Sequence, residues 1–300
     1  MVLYVYLAFA TPRFYSAENL RDLALSNISV LLVAMGMTLV IVVAQIDISV
    51  GALFAVCSVL CGAAAKSGVP IKLLPLVALV AGSLLGATNG ALISFLRAPS
   101  IVVTLATMVV WRQGLLWATG GAWIENLPDH FQWFGLGQPR GEALMLASAG
   151  MLFALFWWGS RNVLAVRAVY ATGSNTEAAR LAGISIRQVV FWVFVAMGGL
   201  TGLAAVLNAV RFSDVPANSG INLELEAIAA VVVGGTPISG GRGSLLGTFI
   251  GVILLGSIGP ALTFLGINPY WEKAIQGAII LTAVLFDATG GWRKRRLAAR

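Results

Sequence analysis

Ten apolar runs separated by short polar breaks leave this chain no way to fold in water. They fall at 1–11, 27–45, 50–65, 73–95, 100–119, 141–159, 188–210, 223–233, 244–260 and 270–287. A helix needs about 20 apolar residues to cross a bilayer, and most of these runs approach that length. Only 10% of the 300 residues are charged and 59% are hydrophobic, whereas a soluble domain carries about a quarter charged residues. In lipid every backbone amide must be bonded within the protein, so the expected fold is all-α and polytopic, with about ten transmembrane helices. The stretch Met1–Ala10 is too short to cross alone, so the first helix is either shortened or begins before Met1. It has no basic region ahead of its apolar run and does not read as a signal peptide. The run 223–233 has the length of a half-span, a form common in transporters whose broken helices line a cavity.

Lysine and arginine placed in loops orient such a chain. Arg293-Lys294-Arg295-Arg296 is the densest basic cluster and is expected in the cytoplasm as part of a tail over 288–300. Alternation then puts Arg97, Arg242 and a stretch with Arg161, Arg167, Arg180 and Arg187 inside. The loops at 12–26, 66–72, 120–140, 211–222 and 261–269 fall outside, and both termini are expected in the cytoplasm. The net charge of +7 therefore reflects membrane orientation. Nucleic-acid binding is not expected, because almost no polar surface is available for a footprint.

Catalytic signatures are absent. There is one histidine, His130, and the two cysteines, Cys57 and Cys61, lie in one apolar run. No metal site is expected, and the cysteines read as small buried apolar residues. Gly241-Arg242-Gly243-Ser244-Leu245-Leu246-Gly247 has the wrong spacing and context for a dinucleotide loop. Gly62-Ala63-Ala64-Ala65-Lys66-Ser67 lacks the glycine before the lysine that a phosphate loop requires. The chain is expected to bind no cofactor and no ATP, and not to be an enzyme.

Four polar features remain. The first is an island at 170–183, where Gly173, Ser174, Asn175 and Thr176 offer helix caps and Glu177 lies in the first turn, suited to the helix dipole. A polar helix protruding from a membrane domain implies a partner. The second is Gln45-Ile46-Asp47-Ile48-Ser49, a break between two apolar runs. An acid there either caps the following helix or serves a solute or ion pathway. The third is Trp111-Arg112-Gln113 inside the fifth run. A ring beside two hydrogen-bonding groups suits a sugar, while the plainer alternative is snorkelling to the outer interface. Asn89, in a glycine-rich helix, either lines the cavity or bonds between helices. The fourth is the glycine turn Gly234, Gly235, Gly240, Gly241 and Gly243, read as a tight structural turn with a second partner contact as the alternative. Gly82-Ser83-Leu84-Leu85-Gly86, with Gly90, recurs as Gly243-Ser244-Leu245-Leu246-Gly247, with Gly251. This is either an inverted repeat or ordinary glycine-mediated helix packing.

Taken in order, these pieces resemble the permease subunit of ATP-binding-cassette (ABC) importers for ribose, xylose, arabinose, rhamnose and autoinducer-2. Glu177-Ala178-Ala179 followed by Gly183 resembles the EAA-x-x-x-G cytoplasmic loop of ABC permeases. Met35-Gly36-Met37-Thr38-Leu39-Val40-Ile41 leading to Ile46-Asp47-Ile48-Ser49-Val50-Gly51 is similar to the sugar family's pattern. So are Pro99-Ser100-Ile101-Val102-Val103-Thr104-Leu105-Ala106-Thr107 with Arg112 and Gly114, and the glycine turn. The usual Gly-Gly before Ile46 is Ala44-Gln45 here. The stretch Thr119–Pro128 looks most like the autoinducer-2 and rhamnose members.

The resemblance implies one permease domain over 1–300, of the type II ABC importer kind, in a bacterial inner membrane. Its coupling loop would span about 160–187 and dock on a separate ATPase subunit that uses ATP and Mg. A second permease chain and a periplasmic sugar-binding protein would complete the importer. Gly173, Asn175, Glu177, Ala178, Ala179 and Gly183 would carry the docking geometry, with a large residue at Gly183 blocking close approach. Gln45, Asp47, Ser49, Asn89, Trp111, Arg112 and Gln113 are candidates for the substrate pathway. An ion-coupled secondary transporter is the alternative, and it would need intramembrane acids such as Asp47, Glu224 or Glu226.

Overall fold

The computed structural model describes residues 11–282 and Leu285. The first apolar run and the basic tail therefore lie almost wholly outside the described residues. Within them the chain is helical, with no strand and a single isolated bridge between Ile124 and Val215. The helices are α1 (Ala17–Val42), α2 (Val50–Lys66), α3 (Leu74–Ser94), α4 (Ser100–Thr119), α5 (Gln138–Asn162) and α6 (Leu164–Ser174). They continue as α7 (Thr176–Leu181), α8 (Ile186–Ala209), α9 (Leu223–Val233), α10 (Leu245–Gly256) and α11 (Ile258–Phe264). Residues 271–282 are helical as well. Among the described residues six segments are long and apolar enough to cross a membrane, counting Leu245–Phe264 as one. The Val50–Lys66 helix is apolar but shorter.

Three boundaries differ from expectation. The first long helix starts at Ala17, inside the stretch expected as an outer loop. The Ser16 hydroxyl accepts from the Asn19 amide, so the polar turns carrying Glu18, Arg21 and Asp22 continue the helix into water. The polar island is two helices rather than one, divided at Asn175, whose extended backbone ends α6 and caps α7. The run expected over 244–260 divides at Ser257, between α10 and α11.

At the centre lies α1, apolar around its whole circumference and buried continuously from Leu31 to Val42. A helix of that kind is stable only when other helices enclose it. Here α8, α9, α10, α5 and α6 do so. The closest seam joins α3 to α8. A side chain at Gly82 or Gly86 would collide with the carbonyl of Gly198 or of Phe194 respectively. Conversely, a side chain at Gly202 would strike the Ala78 carbonyl. Gly90 is somewhat less crowded: a Cβ added there would lie 2.9 Å from the Phe191 carbonyl oxygen. The recurring motif makes a second seam of the same kind, in which Gly247 and Gly251 lie on the backbone of α9 at Gly234 and Ala230. Both copies thus pack backbone on backbone, the arrangement small residues permit in membranes.

The links sort to two ends. At one end the Gly241 amide donates to the Val42 carbonyl, the Tyr170 hydroxyl to the Gly243 carbonyl, and the Ile46 amide to Ser100 Oγ. At the other, Lys66 donates to the Glu125 carbonyl, Trp133 to the Val210 carbonyl and Arg211 to the Leu25 carbonyl. This grouping is the one alternation of spans requires.

The seam yields a prediction. Gly198→Val places carbon against the Gly82 carbonyl and should cost roughly 1–3 kcal/mol or more. Gly150→Ala, where nothing lies within 4 Å, should be silent. Size-exclusion profiles of the detergent-solubilised variants would show a lost monodisperse peak for the first only.

Candidate functional site

The polar cluster begins at Asp47, in the link between α1 and α2. Its Oδ1 accepts from the Ser49 amide at 2.9 Å and from the Ser49 hydroxyl at 2.6 Å. The same Ser49 oxygen accepts from Asn89 Nδ2 on α3 at 2.8 Å. All three residues are 0% exposed. Asp47 therefore does organise the start of α2, but through Ser49 rather than the first helical amide. The other carboxylate oxygen, Asp47 Oδ2, and the Asn89 carbonyl oxygen have no hydrogen-bond partner. The cluster is thus a buried hydrogen-bonded knot with two oxygens left to bond.

Four residues beyond Asp47 a second group begins. A side chain at Gly51 would collide with the Glu224 carboxylate and the Gly220 carbonyl. Arg112 Nη1 donates to the Ser219 carbonyl at 2.8 Å. The segment 216–222 is thereby held between the first turn of α2 and the middle of α4, drawn inward ahead of α9. Its successor α9 has 11 residues, about 16 Å of helix and half a bilayer core. Arg112 is half-buried, and its guanidinium reaches inward to the 216–222 segment. The sequence triplet is not kept together: Trp111 packs on the core, while Gln113 is exposed on another side of α4. Adjacent residues on a helix are about 100° apart, so the separation follows from the geometry. Gln45 lies elsewhere again, lining a cleft with Arg97 and Arg187.

The third group is the protruding helix. Asn175 Oδ1 accepts from the Ala178 amide at 3.0 Å, which selects it as the cap of α7 among the four cap residues offered. Glu177 lies in the first turn and pairs with Arg180 at 2.9 Å. At the far end Gly183 donates to the Arg180 carbonyl and Ile184 to the Ala179 carbonyl. These two bonds form a Schellman stop, and Gly183 has φ +82 as that stop requires. Open space surrounds Gly183. Asn175, Glu177 and Ala178 are exposed, and Ala179 is buried. Leu181 is 84% exposed, an apolar side chain on a polar helix that composition alone does not single out.

Gly173 belongs to the helix's mounting rather than to its outer face. A side chain there would collide with the Val42 carbonyl, and it lies against the Gly241 amide nitrogen. Gly240 and Gly241 both adopt φ +79, which only glycine reaches without strain. Gly243 packs on Thr236 and Val42, and Gly234 on Gly247. Gly235, at φ +90, is in the open. The glycine turn is therefore the junction through which α1, α6 and α10 meet.

Comparison with known proteins fits this architecture. The family model described as branched-chain amino acid transport system / permease component matches residues 19–284, so the chain belongs to that permease family. Its relatives include the ribose import permease protein RbsC of Escherichia coli (strain K12), 35% identical over 296 residues, covering 96% of this chain and 91% of the relative. RbsC of Haemophilus influenzae is 32% identical over 298 residues, covering 98% and 92%. The autoinducer 2 import system permease protein LsrC of Enterobacter sp. (strain 638) is 33% identical over 290 residues, covering 96% and 84%. The resemblance to ABC sugar importer permeases is thus borne out. No solved structure matches the chain.

The Asp47 knot makes a distinguishing prediction. Asp47→Ala strips Ser49 of its acceptor and should lower stability by about 1–3 kcal/mol. Asp47→Asn retains an acceptor oxygen at the same place and should be nearly neutral. Thermal unfolding of both purified variants in detergent separates the two.

Proposed function

We propose that this chain is the membrane-spanning subunit of an ABC importer that moves a monosaccharide or related small polyol by alternating access. The observation that carries the reading is α7: a capped, exposed helix fixed to the central helix through Gly173, Gly241 and the Val42 carbonyl. Such a mounting transmits a push on α7 directly to α1. In this reading residues 1–300 form one permease domain of ten spans, with both termini and the 160–187 loop in the cytoplasm. An ATPase subunit, which uses ATP and Mg, docks on Asn175, Glu177, Ala178, Leu181 and the Gly183 turn. This chain binds no nucleotide. The solute passes between two permease chains, delivered by a periplasmic binding protein. Asp47, Ser49, Asn89 and Arg112 shape the pathway from within, with Gln45, Trp111 and Gln113 at its margins. Relatives named for ribose and for autoinducer 2 support the cargo class, and the Thr119–Pro128 stretch inclines it to autoinducer-2 or rhamnose.

Gly183 also ends α7, whatever it contributes to the docking surface. Substitution there strains the backbone at φ +82, so it is a poor probe of docking. Leu181→Glu is a cleaner one, because a substitution at an exposed position changes stability by no more than about 0.5 kcal/mol. Loss of a docking anchor of about 2 kcal/mol corresponds to roughly 30-fold weaker association. Leu181→Glu should therefore reach the membrane at wild-type abundance yet abolish most solute uptake by whole cells. Undiminished uptake would remove α7 from the mechanism.

One observation favours ion-coupled transport instead, namely the buried carboxylate oxygen of Asp47 without a partner. That mechanism needs Asp47 to gain and lose charge. Uptake that survives Asp47→Asn removes Asp47 from such a mechanism.

A further inference from the structure

A cleft of about 340 Å³ opens at the end of the molecule that carries α7. It lies between the 95–99 link, which joins α3 to α4, and the first turns of α8. Two guanidinium-bearing residues from distant parts of the chain line it, Arg97 and Arg187, with Gln45 and Ser94 beside them. No carboxylate lines it. Neither arginine has an ion-pair partner among the described residues. Both arginines are exposed at the cleft, where solvent screens their mutual repulsion and an anion between them would relieve it further. Helix α8 contributes as well. Its cap residue, Ser185, makes no side-chain bond to the first turn, so the positive end of a 24-residue helix is left open beside the two arginines. Arg97 itself takes φ 57, a left-handed conformation uncommon for residues with a side chain. A strained basic residue in a tight link is a reason to look for a ligand.

We propose that this cleft binds a phosphate group, and that its source is the headgroup of an anionic phospholipid. Guanidinium pairs hold phosphate oxygens through forked, charge-assisted hydrogen bonds. The remaining wall, which includes Pro99, Ile186 and Val190, is apolar and suits a glycerol backbone and the start of an acyl chain. Basic pockets between helices at a membrane surface are where anionic headgroups settle. The bound phosphate bridges the 95–99 link to the start of α8, directly after the α7 segment, and so fastens the base of the protruding helix to the core. This inference rests only on the helices crossing a bilayer. It stands whether or not α7 meets an ATPase.

The test uses the full chain purified in a neutral detergent, titrated with phosphatidylglycerol, with phosphatidylcholine and with inorganic phosphate, while thermal unfolding is followed. Phosphatidylglycerol should raise the unfolding temperature and phosphatidylcholine should not. Each arginine removed, as Arg97→Gln or Arg187→Gln, should weaken the phosphatidylglycerol effect about fivefold. Arg167→Gln, on α6 outside the cleft, should leave it intact. Either single variant suffices if the double variant does not accumulate. A rise with inorganic phosphate but not with the lipid would overturn the lipid source. Equal response of Arg97→Gln, Arg187→Gln and wild type, or no response of wild type to either anion, would overturn the site.

Discussion

Backbone-to-backbone contact through glycine is the interaction on which the rest of this structure depends. Between helices in lipid there is no hydrophobic drive to associate, because the acyl chains are as apolar as leucine. What remains is close packing, and it needs surfaces without side chains. Gly82, Gly86, Gly198 and Gly202 supply it between α3 and α8, and Gly234, Gly247 and Gly251 between α9 and α10. With those two seams closed, α1 is enclosed and its apolar circumference is accounted for.

The same contact extends to the polar end of the molecule. The Val42 carbonyl, at the last residue of α1, accepts from the Gly241 amide and leaves no room for a side chain at Gly173. Three elements therefore share one backbone group, and α7 begins three residues beyond Gly173. A displacement of α7 has little slack before it reaches the central helix. At the start of α2, by contrast, polar groups are gathered inside the fold. Asp47, Ser49 and Asn89 form one knot, and Arg112 holds the segment before α9. Close packing thus provides the rigid path, and the buried polar groups mark where the fold departs from pure packing.

Much of this was legible in the sequence, where a local cause operates. The cap of α7 and the first-turn position of Glu177 follow from short-range helix chemistry. The seam glycines follow from their spacing of four. The start of α1 is obscured because Glu18, Asn19, Arg21 and Asp22 interrupt the leucines of 17–26, although Ser16 and Asn19 form an ordinary capping pair. Adjacency makes Trp111-Arg112-Gln113 look like one group, although helical periodicity already separates its members. Other features had no local cause to read. The contact of Glu224 with Gly51 joins residues far apart in sequence, and the Val42 carbonyl is a backbone group that no side-chain pattern reports. Leu181 became informative only when its exposure was known.

The central claim is that this permease is driven from outside itself, through α7. The direct measurement is to purify the chain from native membranes in mild detergent, identify what accompanies it, and assay ATP hydrolysis with a sugar-loaded periplasmic binding protein. The account predicts a stable complex with an ATPase subunit whose hydrolysis rises when the loaded binding protein is added. A chain that purifies alone, with no hydrolysis under any sugar, would contradict it.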